Sequence, residues 1–144
     1  MVDDSYSSDS SWSHQDALVA MMVCVSIIDL QIKVIELLSI ERIINHLPIF
    51  ADYDADRIRG VSDSVFELME DDEGLDAFFG LVKNALPEKL YETAYALCCD
   101  VAAADGYLRE FELRFLQETR HEFDLDRLRT SAIEWGARAR HMTL

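Results

Sequence analysis

The run Ala17–Ile28, ALVAMMVCVSII, contains one polar residue in twelve. A helix made from it has no wet face, so it needs apolar neighbours on nearly every side. It is also far short of the roughly 20 apolar residues that cross a bilayer. The remaining chain must therefore wrap it, which makes it the central helix of a bundle. With 144 residues, half of them apolar, the chain is long enough for one domain with a sizeable core. Only two prolines and five glycines punctuate it, and the runs between them are rich in Ala, Leu, Ile, Glu and Arg. The expected fold is all-α, a compact bundle of about seven helices.

Ahead of the central run, Met1–Ser13 is Ser- and Asp-rich with little to bury, which predicts a disordered acidic tail and a single domain over residues 14–144. After it, Leu37, Ile40, Ile44 and Leu47 form a helical stripe, with Glu36, Glu41, Arg42 and Asn45 placed on the wet face. Pro48 ends that helix. Ile58, Val61, Val65 and Leu68 mark the next stripe within Asp54–Glu70, and Leu75–Leu86 a shorter helix. Pro87 opens a helix with Leu90, Ala94, Leu97, Cys98 and Val101 on its inner face. Leu108–Phe123 and Leu125–Arg140 follow, the last with Leu128, Ala132, Trp135 and Ala139 expected inward.

The net charge of −15 is unevenly placed. Residues 1–108 carry 21 acidic and 6 basic side chains, whereas residues 109–144 carry 7 of each. Such a field repels phosphate backbones and anionic lipid surfaces, so neither nucleic-acid binding nor direct membrane insertion is expected. The acidic run Glu70, Asp71, Asp72 and Glu73 suits cations or a basic protein partner, and equally an ordinary solvated connection. The opening residues lack the basic start of an export signal, and Cys24, Cys98 and Cys99 have no Cys-x-x-Cys spacing. A reducing, cytoplasmic setting is the expectation.

The stretch Val101–Leu113, VAAADGYLREFEL, carries Asp105, Gly106 and Glu112 in the spacing of the second half of a calcium-binding loop. Shifting the chain by 76 residues lays Asp29 on Asp105, Ile32 on Leu108, Glu36 on Glu112 and Ile40 on Leu116. Each copy has an apolar helix before the Asp and an amphipathic one after it, so the bundle reads as two degenerate helical-hairpin repeats. Neither copy is an EF-hand, because loop positions 1 and 3 would be Val101 and Ala103 in one and Val25 and Ile27 in the other. What remains is a candidate metal set of Asp29, Glu36, Asp105 and Glu112, with Gly106 closing the turn.

Hard carboxylate oxygens of this kind favour Ca²⁺ or Mg²⁺ over zinc. Two carboxylates about 4 Å apart repel by roughly 4 kcal/mol at an effective dielectric of about 20, so a cluster of four needs a cation or raised pKa values. The same residues also fit a plain helix corner, in which Gly106 takes a left-handed conformation and the acids face water.

No catalytic constellation accompanies these acids. His14, His46, His121 and His141 are scattered without an i, i+4 pair, and neither a Gly-x-Ser-x-Gly elbow nor a phosphate-binding Gly loop occurs. The chain is expected not to be an enzyme.

ALVAMMVCVSIID and ALCCDVAAADGYLREFELRFL together resemble the two halves of the TerB-like tellurite-resistance domain, and ERIINHLPIF resembles the segment after its first half. The similarity covers roughly residues 16–140, although Leu30 stands where the second half has Gly106. The resemblance implies an all-helical domain with an acidic, metal-binding surface in bacterial tellurite and stress-resistance systems. It also implies protein partners that are membrane-associated or calcium-binding. Position by position it points to Asp29 and Glu36 in the first half and to Asp105, Gly106 and Glu112 in the second. Two functions are open at this level: an accessory module that binds a divalent cation, and a metal-independent, co-chaperone-like interaction scaffold.

Overall fold

The computed structural model describes residues 11–28, 34–106 and 108–144. Among these, seven α-helices follow one another without a strand. They are α1 (His14–Ile27), α2 (Val34–His46), α3 (Arg57–Met69), α4 (Gly74–Ala85), α5 (Tyr91–Ala102), α6 (Glu110–Glu122) and α7 (Arg127–Arg140). Short 3₁₀ turns at Pro48–Phe50 and Glu88–Leu90 complete the connections. The all-α architecture expected from composition and periodicity is the one observed.

Helix α1 is the axis of the bundle. Every residue from Asp16 to Ile27 is buried, and α2, α3, α4, α5 and α6 all pack on it. Burying a side chain such as Leu18 or Met21 contributes about 2 kcal/mol, so this one helix anchors much of the core. Its start is fixed by a reciprocal cap. The Asp16 N–H donates to Ser13 Oγ at 3.0 Å, and the Ser13 N–H donates to Asp16 Oδ2 at 3.0 Å. Trp12 packs edge-on against Phe78 with ring centroids 6.1 Å apart. The packed chain thus includes Trp12 and Ser13, which the sequence reading assigned to the tail; residues 1–10 lie outside the described residues.

An aromatic seam joins α4 to α6. Phe79 stacks on Phe115 at 5.7 Å and meets Phe123 edge-on at 5.9 Å, while Tyr91 stacks on Phe123 at 4.3 Å. Between α3 and α4 the chain turns so tightly that a Cβ on Gly74 would lie 1.8 Å from the Leu68 carbonyl oxygen, so only glycine fits there.

Two helices turn differently from their expected faces. In α2 the buried row is Glu36, Ile40 and Ile44, an i, i+4, i+8 line, while Leu37 and Leu47 are exposed. Glu36 is therefore inside rather than on the wet face. In α7 the inward residues are Thr130, Ile133 and Ala137, and Leu128, Ala132, Trp135 and Ala139 face solvent. The reason is polar. Glu134 accepts from the buried Tyr95 hydroxyl, and Arg120 Nη1 reaches that hydroxyl at 2.7 Å and Glu134 Oε2 at 3.1 Å. Arg129 pairs with Glu92 at 2.8 Å and Arg140 with Asp100 at 2.6 Å, so α7 is oriented on α5 by its charges.

Candidate functional site

The Asp105 corner forms where α5 runs out. Ala103 and Ala104 continue the last turn, the Gly106 N–H donates to the Ala103 carbonyl at 3.0 Å, and Gly106 adopts φ +84°. That left-handed value is the one expected of a glycine closing a helix, and a side chain there would be strained. Arg109 then stands extended at the head of α6. Its N–H donates to Glu112 Oε1 at 3.0 Å, which draws the Glu112 carboxyl back over the helix start. Its guanidinium pairs with Asp105 Oδ2 at 3.0 Å, four residues back.

Glu112 and Glu36 are 2 % and 1 % exposed, the two most buried acids after Asp16 among the described residues. They come from different helices and share a side-chain hydrogen bond. Glu36 sits in the first turn of α2 and Glu112 in the first turn of α6, and these helices begin 76 residues apart, matching the offset seen in the sequence. Burial is the main force raising the Glu112 pKa. The hydrogen bonds from Glu36 and the Arg109 N–H oppose that rise, the Asp105 charge adds to it, and Arg109 opposes it; the net direction is up. Two carboxyl groups can share a hydrogen bond only if one carries a proton. The pair can therefore hold a proton.

The four expected ligands are thus placed unequally. Glu36 and Glu112 meet. Asp105 is held by Arg109 beside them. Asp29, with Leu30 and Lys33, lies outside the described residues. Among the described residues no three His, Cys, Asp or Glu side chains converge as a metal-ligand group. Glu70, Asp71, Asp72 and Glu73 are all exposed between α3 and α4. There Glu67, Asp71, Glu73 and Asp76 line a shallow acidic hollow, in which the Glu73 N–H donates to Asp71 Oδ1 at 3.2 Å.

The sequence matches a known family. The sequence signature described as tellurite resistance protein TerB covers residues 15–134. The chain belongs to this TerB family. Comparison with curated proteins and with solved structures finds no significant match. No described helix is long and apolar enough to cross a membrane.

Sequence reasoning missed a third buried carboxylate, at a separate place in the bundle. Asp16 is fully buried and accepts from Arg57 Nε at 3.0 Å, Arg57 Nη2 at 2.5 Å and the Tyr53 hydroxyl at 2.7 Å. Burial by itself would raise its pKa, but Arg57, the Ser13 N–H and Tyr53 together outweigh that and bring it to about 2. The Ser13-x-x-Asp16 spacing could have revealed the cap. Nothing local pointed to Arg57, 41 residues away. Cys24, Cys98 and Cys99 are free and buried, burial pushes their thiols up, and Cys98 Sγ lies 3.5 Å from the Met21 carbonyl.

Proposed function

We propose that this TerB-family protein is a non-enzymatic accessory module of a tellurite or stress-resistance system that takes up a hard divalent cation, Ca²⁺ or Mg²⁺, at the Glu36–Glu112 pair. The observation that carries the reading is the meeting of two buried glutamates from separate helices, with the Glu112 pKa raised by that burial. A buried acid pair is costly unless protonated or neutralised, and carboxylate oxygens are the ligands that these ions prefer. Asp29, Asp105 and water would complete the coordination, with Asp105 exchanging Arg109 for the ion. The exposed Glu70–Glu73 surface is the face offered to partner proteins.

A second reading is supported by the Asp105–Arg109 ion pair, which already satisfies one candidate ligand from within the chain. In that reading the protein is a metal-independent scaffold, and the acids are a docking surface. Calorimetric titration of Ca²⁺, Mg²⁺, Mn²⁺ and Zn²⁺ into chelator-treated protein separates the two. Cation binding should appear in the wild type and vanish in Glu112→Gln and Glu36→Gln. Binding that persists in both variants, or its absence from the wild type, favours the scaffold. A cation at about 100 times its dissociation constant should also add roughly 2.7 kcal/mol of stability.

A further inference from the structure

We infer that the outer face of α7 is a docking seam for an amphipathic helix of a partner protein, one whose apolar stripe is flanked by Asp or Glu. Leu128, Ala132, Trp135 and Ala139 recur at intervals of four, three and four residues, which is the a/d spacing of a coiled-coil seam. All four face solvent, with Leu128 80 % and Trp135 65 % exposed. Met142, 69 % exposed, continues the interval just past the helix end. Large and small residues alternate along this line, and the two alanines leave gaps into which side chains of a facing helix can pack.

The charges around the seam select the occupant. On one flank, Arg129 and Arg140 are drawn inward to Glu92 and Asp100. On the other flank stand Arg127 and Arg138, both exposed, with the Arg138 guanidinium 5.1 Å from the Trp135 ring. An incoming helix therefore meets positive charge along one edge, and acids at its flanking positions complement it. A second copy of the chain fits poorly. Pairing α7 with α7 would set Arg127 and Arg138 of one copy against the same two of the other, and the one acid of the helix, Glu134, is already bonded to Tyr95 and Arg120. An anionic lipid surface fits poorly too, since the seam presents alanine where an interfacial anchor would present bulk. Trp135, Ala139 and Met142 lie beyond the last residue of the family match, so the seam is not simply the family's shared motif.

A Trp12→Phe background leaves Trp135 as the one indole, so its emission reports on the seam. The probes are two synthetic helical peptides with the same Leu heptad seam, one with Glu and one with Lys at the flanking positions. The Glu peptide should shift the emission to the blue and bind more tightly than the Lys peptide. Leu128→Ser should weaken the Glu peptide by about tenfold or more. Arg127→Glu with Arg138→Glu should reverse the preference, and the far-ultraviolet spectrum and melting midpoint should stay unchanged in each variant. The inference is overturned if neither peptide shifts the emission, if both bind alike, if only phosphatidylserine vesicles produce the shift, or if sedimentation shows the shift to track self-association.

Discussion

Asp16 and Glu112 are both buried acids at the start of a helix, and the fold pushes them in opposite directions. Asp16 is met by a cation from its own chain, the Arg57 guanidinium, and its pKa falls to about 2. Glu112 is met by another acid, Glu36, and by the Arg109 N–H, whose hydrogen bonds do not offset its burial, and its pKa rises. Burial is the largest influence on each and raises both; what differs is whether the partners outweigh it, as Arg57, Ser13 and Tyr53 do for Asp16. One carboxylate is thus a finished structural element, closed by Ser13, Tyr53 and Arg57. The other keeps a raised pKa despite its hydrogen bonds, so its protonation state is the one open to change. A buried acid is informative about function only once its neutralising partner has been sought within the chain.

The largest expected effect comes from removing that partner. Arg57→Met keeps the aliphatic stem but leaves Asp16 buried without its cation, and should destabilise the protein by about 3 kcal/mol. Arg57 is itself half-exposed, which holds the cost toward the low end of the range for fully buried pairs. Urea unfolding of wild type and variant near neutral pH measures it. A loss below about 0.5 kcal/mol would mean that the cap and Tyr53 alone satisfy Asp16, and the contrast with Glu112 would collapse.

A smaller effect follows from pH. The Asp16 pKa is depressed from 3.8 to about 2, so its contribution, about 2 kcal/mol, is present in full above pH 4. It is lost as the pH falls through that interval, because the unfolded chain takes up the proton first. Denaturation midpoints measured from about pH 6 down to about pH 2 should show this acid limb in the wild type, and Asp16→Asn should flatten it.

How far each region was legible in the sequence depends on whether its burial is decided locally. The run Ala17–Ile28 has no polar face to turn outward, so its central place could be read from the residues alone. Gly106 was legible for a similar reason, since its position after an Ala-rich helix calls for a left-handed residue. The face of α7 was not. Its apolar stripe and its inner face differ because Arg129, Glu134 and Arg140 find partners on α5 and α6, and those pairings span 14 to 40 residues. Glu36 was misplaced on the wet face by an apolar-stripe argument, even though the 76-residue offset aligned it with Glu112. Periodicity assigns polar residues to water by default, and the meeting of two acids across the bundle overrides it.

The smallest expected effect bears most directly on the site. Gln at position 112 keeps an oxygen for the Arg109 N–H and can offer its amide N–H to the Glu36 carboxylate, so the cap survives and the acid pair becomes a donor–acceptor pair. In chelator-treated protein Glu112→Gln should therefore gain about 1 kcal/mol near neutral pH. The sign follows from the raised pKa. The protonated Glu112 of the folded state is stabilising below its ordinary value of 4.5, and that contribution is lost as pH rises through the folded value. The advantage of the variant should accordingly grow as the pH rises above 4.5. Saturating Ca²⁺ or Mg²⁺ should reverse the order, stabilising the wild type and leaving the variant unmoved. A variant less stable than wild type at every pH without metal would place Glu112 with Asp16, as an acid already neutralised by its own fold.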